Sequence, residues 1–333
     1  MGKVIVLGAG VVGLSTALEL VQRGHEVDIV ARHLPGDIDI EYTSPFAGAN
    51  WSSFAETDEE QEWDKLGYEK LLEIAKTEPG ASVWAKRSLN YNREPAPRLA
   101  SVVKDLRILP ENELIPGTHC GFEYTSIVIS VGTYLAYLSQ KLMAAGVVIR
   151  RAHVAHIKDV ASYYTKGTPE VIVNCSGLLA RKLGGVEDKA VYPIKGQILL
   201  IRNNCSTLLS VSGTEGPDEE AFYIFPRKEG GGIIGGSYVP NDWSADISEG
   251  FIERTKQKVA KYCPELLEEG PLDIYKAVVG LRPGREGGVR IEKETIPGVG
   301  NVVHNYGCGG CGYQNSHGMA IKTAKLVEEF LKK

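Results

Sequence analysis

The sequence predicts an α/β protein with a Rossmann-like portion and a β-sheet-rich portion, and three stretches carry that prediction. Residues 4–13 run from an apolar strand through G-x-G-x-x-G straight into a helical pattern. From about 190 to 274 the pattern changes to successive strands. Residues 301–331 then repeat strand, glycine loop and helix near the far end of the chain. The 333 residues suffice for one large or two medium domains with a buried core. A net charge of −5 with no basic block argues against a nucleic-acid partner. No apolar run approaches the ~18 residues of a membrane span. The N-terminal apolar run reads as the first strand rather than as a signal peptide. Six scattered cysteines form no dense disulfide framework, which fits a reduced, intracellular protein.

The elements follow in order. In the first unit Gly8 allows the turn, Gly10 admits backbone close to a pyrophosphate, and Gly13 lets helix and strand pack closely. Phosphates would sit on the free N–H groups of the helix that carries Leu14, Ala17, Leu18 and Val21 on one face. A second strand over 26–31 ends in Ala31-Arg32-His33. An Asp or Glu that would hold an adenosine ribose is missing there. One reading is a site for NADP, with Arg32 on the 2′-phosphate; the other is a flavin site. The spacing does not choose. Residues 43–51, with Thr43, Ser44, Gly48, Ala49 and Asn50, are small and polar and read as a loop returning toward the cofactor. A helix is predicted over about 59–76. Residues 88–98 are polar and proline-bearing, with Arg93 and Arg98 read as solvated side chains. A helix over 131–145 and strands over 147–150 and 171–174 follow, the last running into Cys175-Ser176-Gly177.

In the second half, strands are predicted over 197–201, 221–226 and 233–238. A hairpin symmetric about Gly230 and Gly231 would set Tyr223 opposite Tyr238, so that two phenols project from one sheet face. Arg282 follows an apolar strand directly and is the arginine best placed to grip a carboxylate with two parallel hydrogen bonds. Arg285 reads as solvated, and Arg290 as an arginine that could serve the cofactor. The loop 306–314 carries little side chain, so a flat ring can lie against its backbone, and a helix is expected over 318–331. Cys308 and Cys311 form a C-x-x-C; zinc and a redox disulfide compete there with two small residues in a glycine loop, and the last reading is preferred.

Taken together, Val6–Leu18, Ala31-Arg32, Ala47–Trp51, Asn174–Gly177, Gly196-Gln197, Tyr223, Gly235–Tyr238, Gly280–Pro283, His304–Gly307 and Gly312–Gln314 resemble the FAD-dependent D-amino acid oxidases, the fungal branch most closely. The resemblance spans nearly the whole chain. It implies a discontinuous Rossmann-like FAD-binding domain at 1–75, 130–189 and 275–333, beside a β-sheet-rich substrate and interface domain at 76–129 and 190–274. It implies FAD contacts from Gly8, Ala9, Gly10, Val11, Val12, Gly13, Ala31, Arg32, His33, Thr43, Ser44, Gly48, Ala49, Asn50, Val154, Ser176, Gly177, Arg282, Gly309, Gly310, Cys311, Gly312, Tyr313 and Gln314. It places Arg282 on the substrate carboxylate, flanked by Tyr223 and Tyr238. The Gly310 carbonyl and Gln314 sit near the amine, and Phe54 and Trp243 help shape the side-chain pocket. No metal is implied.

The matched pocket residues include no carboxylate or histidine suited to strip the Cα proton, which favours direct hydride transfer from Cα to flavin N5. The products are then an imino acid, hydrolysed to a 2-oxo acid and ammonia, and hydrogen peroxide from dioxygen. Tyr238 and Phe54 favour neutral or apolar D-amino acids. The alternatives are a D-aspartate oxidase, if Arg93 or Arg98 turns inward, and a nicotinamide-dependent dehydrogenase. His33 departs from the Asp that relatives often carry. Relatives are commonly homodimers, although no surface feature demands it. The family implies a peroxisomal location, yet the sequence ends Phe330-Leu-Lys-Lys333 without Ser-Lys-Leu; otherwise a cytoplasmic location is expected.

Overall fold

In the computed structural model, which describes residues 1–332, Val4, Ile5 and Val6 have no exposed surface. A run buried on both faces is what a central parallel strand requires, and these residues form β1 (Lys3–Leu7). Helix α1 (Val11–Gln22) and strand β2 (Glu26–Ala31) complete the first unit. Helix α2 (Asp58–Thr77) opens on a capping box: the Glu60 amide donates to Thr57 Oγ1 at 3.2 Å, and the Thr57 amide donates back to Glu60 Oε2 at 3.1 Å. Strands β3 (Val83–Tyr91), β4 (Arg107–Ile108) and β5 (Gly121–Ile129) follow. Then come α3 (Val131–Ala144), β6 (Val148–Arg151) and β7 (Val171–Asn174). The strand-rich stretch holds β8 (Val191–Ile201), β9 (Leu208–Val211), β10 (Glu220–Pro226), β11 (Gly232–Ser237) and β12 (Val239–Pro240). Helix α4 (Glu249–Tyr262), β13 (Ile274–Arg285), β14 (Arg290–Ile296), β15 (Gly300–Tyr306) and α5 (Gly312–Leu331) close the chain.

Two sheets result. The first has the order β14-β15-β7-β1-β2-β6 and is parallel except for the edge pair β14–β15. Chain order reverses at β1, between β2 and β7, and such a switch point leaves a crevice at the strands' carboxyl ends. The second sheet runs β12-β8-β11-β10-β9-β3-β5-β4, with β13 also paired to β8. The sequence-based boundary at 275 puts β13 with the first portion, but this strand pairs with β8 from Ile274 to Arg285. It therefore carries Arg282 on the second sheet. Among the described residues no helix is long and apolar enough to cross a membrane.

Two local expectations are corrected. The hairpin is not symmetric about the glycines: Pro226 pairs with Gly232 and Tyr223 with Gly235, not with Tyr238. Gly230 and Gly231 both have positive φ, +98° and +68°, and so supply the left-handed end of a loop over 227–231. Tyr238 lies beyond β11, past a register shift, where its amide donates to Glu219 O at 2.7 Å. Helix α5 begins at Gly312 rather than Gly318. Its glycines serve close packing: a Cβ on Gly318 would sit 2.4 Å from Trp63 Cα, and one on Gly67 of α2 would sit 1.9 Å from Gln314 O.

Candidate active site

A cavity of about 1110 Å³ is lined both by the glycine turn after β1 and by residues of the second sheet. The turn is held rigidly. Gly8 has φ +113°, and a Cβ there would lie 2.3 Å from Cys175 O; one on Gly13 would lie 2.1 Å from Gly8 O. No side chain of its own N-cap caps α1. Instead Ser44 Oγ accepts from the Val11 amide at 3.0 Å, Tyr42 Oη donates to Ala9 O at 2.8 Å, and Tyr313 Oη donates to Ser44 O at 2.8 Å. The predicted returning loop therefore does reach the turn. All the expected cofactor residues line this cavity: 8–13, 31–33, Thr43, Ser44, 48–50, Val154, Ser176, Gly177, Arg282 and 309–314. Three buried polar atoms of cavity-lining residues, Ser176 Oγ, His33 Nε2 and Asn305 Oδ1, have no hydrogen-bond partner among the described residues. Polar atoms left over beside a phosphate-cradling turn fit a ligand with hydroxyl and phosphate groups, such as FAD. Arg32 Nη1 lies 3.0 Å from Glu41 Oε2, so this arginine at the end of β2 already carries an acidic partner.

The other part of the cavity carries Arg282. Its Nη1 donates to Ser237 O at 3.1 Å, and its guanidinium lies 5.6 Å from the Tyr238 ring centroid. Gly196 makes room for it, since a Cβ there would sit 2.3 Å from Nη1. Among the described residues Arg282 makes no ion pair. The neighbouring arginines do: Arg285 with Asp188 at 2.8 Å and Arg290 with Glu292 at 2.7 Å. Arg290 also donates to Tyr306 Oη and lies outside the cavity lining, against the expectation that it could serve the cofactor. Arg285, read as solvated, is largely buried in its ion pair.

Tyr223 and Tyr238 both line the cavity. Burial pushes the Tyr223 phenol above its ordinary value, partly offset by Arg282; burial, then Tyr192, does the same for Tyr238. Both therefore stay O–H donors at neutral pH and neither is a base. Glu220 also lines the cavity, but Arg254 Nε at 3.1 Å and Lys258 Nζ at 3.3 Å occupy its carboxylate. Gly310 and Gln314 are cavity residues, and Gln314 Nε2 donates to Asp64 Oδ1 at 3.0 Å. Phe54 lines the cavity although 57% exposed, with the Arg93 guanidinium 5.3 Å from its ring centroid. Trp243 does not line it; its ring lies on the surface under Lys182, 5.5 Å away. Arg98 pairs with Asp58 and with Gln61, away from the cavity.

Sequence reasoning missed Tyr42 and Asp64. Neither belongs to a motif, and only the fold brings Tyr42 to the glycine turn and Asp64 to Gln314. The stretch 4–13, by contrast, is local in sequence and local in space.

A glycine turn at a sheet switch point, sharing one cavity with an unpaired arginine and two phenols, defines a dinucleotide-dependent enzyme. The comparisons narrow this: the family described as FAD dependent oxidoreductase matches residues 3–326, and the chain belongs to that family. It is 37% identical to a D-amino-acid oxidase of Fusarium vanettenii, covering 98% of this chain and 96% of that protein. A D-amino-acid oxidase of Schizosaccharomyces pombe is 35% identical, over 97% and 95%. The glycine oxidase structure from Bacillus cereus superposes with a TM-score of 0.78 at 19% identity, covering 99% of this chain and 95% of that one, a likeness of fold.

Proposed function

We propose that this protein is a D-amino acid oxidase that acts on neutral and apolar D-amino acids. The observation that carries the reading is Arg282, an unpaired guanidinium on a rigid strand beside Tyr223 and Tyr238 in the cavity that also holds the glycine turn. Arg282 binds the α-carboxylate through two parallel hydrogen bonds. The Tyr223 and Tyr238 hydroxyls donate to the same group, and the Gly310 carbonyl and Gln314 meet the α-amine. These contacts hold the α-carbon in one orientation, which is the protein's main contribution to rate. When bound, the flavin supplies the hydride acceptor and hands the electrons on to dioxygen. Among the described residues that line the cavity, the Glu220 carboxylate is held by Arg254 and Lys258 and that of Glu41 by Arg32, which supports hydride rather than proton abstraction. The imino acid released hydrolyses in water to a 2-oxo acid and ammonia. The sequence division stands behind this reading, with 1–75, 130–189 and 275–333 serving the cofactor and 76–129 and 190–274 the substrate, apart from β13. A homodimer in the peroxisome, away from nucleic acid and membrane, is the accompanying proposal.

The test is a visible spectrum of the purified protein before and after anaerobic D-alanine, then L-alanine. Flavin bands bleached by the D isomer alone are expected. A yellow protein bleached by no neutral D-amino acid would sink the reading. A second reading, an acidic D-amino acid substrate, is favoured by Arg93, which lines the cavity and makes no ion pair among the described residues. It predicts that D-aspartate or D-glutamate bleaches the flavin where D-alanine does not.

A further inference from the structure

Asp64, on α2, is buried with no exposed surface and makes no ion pair among the described residues. A carboxylate so placed costs several kcal/mol unless its oxygens are satisfied. Burial pushes the Asp64 carboxyl above its ordinary value, and two hydrogen bonds oppose that shift: Ser53 Oγ donates to Oδ2 at 2.6 Å and Gln314 Nε2 donates to Oδ1 at 3.0 Å. The residue's own backbone carbonyl accepts from Trp51 Nε1 at 3.0 Å. Asp64 thus joins loop 51–55, helix α2 and the first turn of α5. Of these partners only Gln314 lines the cavity.

We infer that Asp64 is a positioning residue that fixes which end of the Gln314 amide faces the substrate. A carboxylate is an acceptor only, so it must take the Gln314 NH₂ group and leave Oε1 for the cavity. An oxygen there accepts from an ammonium; an NH₂ group there would repel it. The α2–α5 contact makes this arrangement stiff, because Gly67 and Gly318 let the helices touch backbone to backbone. The selection of an α-ammonium thereby rests on a carboxylate that never touches the substrate. This inference depends on the oxidase reading, in which the amine lies beside Gln314.

The test uses the holoenzyme and two ligands, D-alanine and propionate, which has the carboxylate but no amine. In Asp64→Asn one of the two acceptor oxygens becomes an NH₂ donor facing the Ser53 hydroxyl or the Gln314 amide, so the Gln314 amide loses its fixed orientation. A KM for D-alanine raised roughly 10- to 100-fold is expected, the range of one hydrogen bond to a charged group. The Kd for propionate, read from the flavin spectrum, should stay within about twofold. In a Gln314→Met background Asp64→Asn should add nothing further. Equal weakening of D-alanine and propionate, or full additivity with Gln314→Met, would overturn the inference. Should Asp64→Asn fail to hold flavin, Gln314→Met alone decides: a D-alanine KM unchanged there leaves Asp64 nothing to act through. If the wild-type flavin is bleached by no D-amino acid, the oxidase reading itself falls; if it is bleached and only the variant pattern fails, this inference alone falls.

Discussion

Arg282 was readable from the apolar run before it, although the structure keeps it inside β13, paired with Ile194, rather than after the strand. Removing it tests the clamp. Arg282→Ala should keep FAD and lose about 30- to several thousand-fold in kcat/KM, since removing one partner of a buried charge pair costs roughly 2–5 kcal/mol. Near-normal kcat/KM would contradict its role. Tyr238→Phe should change kcat/KM only mildly, because its hydroxyl orients and does not take a proton; a loss beyond ~10³ would indicate acid–base chemistry instead. Other residues were not readable alone. Arg93 and Arg98 look alike in sequence, and only the fold sends one to the cavity and the other to Asp58. His317 is a further case. It is buried, with Nε2 2.8 Å from Tyr134 Oη, and burial lowers its pKa to about 4. The folded protein then keeps it neutral while the unfolded chain protonates near 6.5. Its contribution is present above that value and is lost as pH falls from about 6.5 toward 4, by up to about 3 kcal/mol. The Tm of the wild type should drop over this window more steeply than that of His317→Gln; parallel curves would refute the assignment.

At the scale of elements, strands buried on both faces were legible because apolar runs have no other stable home, as in β1 and β7. The start of α5 was not. Gly312, Asn315, Ser316 and Gly318 are weak helix formers, yet they are helical because α2 packs against them. The same contact makes a prediction. Gly67→Ala puts a Cβ 1.9 Å from Gln314 O, a backbone atom that cannot swing aside. Overpacking of this kind costs about 1–3 kcal/mol or more, so its denaturant midpoint should fall, while Gly132→Ala, with open space around it inside α3, should hold or slightly raise the midpoint. The hairpin register was misread for a related reason. The glycines mark one end of the loop, and pairing starts at Pro226 and Gly232, so Tyr223 faces Gly235. The phenols still meet Arg282, but through a register shift that no spacing rule encodes.

Across the whole molecule, the cavity is walled by segments far apart in sequence: the turn at 8–13, the loop at 43–50, Ser176 and Gly177, and the loop at 309–314. Recurring strand–glycine–helix units made both ends of this arrangement legible, whereas their meeting depends on β15 pairing parallel to β7, which only the assembled sheet supplies. A ligand that bridges these segments binds the native state and not the unfolded chain, so it stabilises by RT ln(1 + [L]/Kd), about 2.7 kcal/mol at a hundredfold excess over Kd. Removing FAD should therefore lower the Tm by roughly 5–10 °C, at ~2–4 °C per kcal/mol for a chain of this order. The loss should also be shared. Amides of the turn at 8–13 and of the loop at 309–314 should both exchange faster in the apoprotein, since the ligand joins both ends of the chain. Faster exchange at 8–13 alone would mean that the ligand rests on the N-terminal unit and that the C-terminal glycine loop only borders an empty part of the cavity.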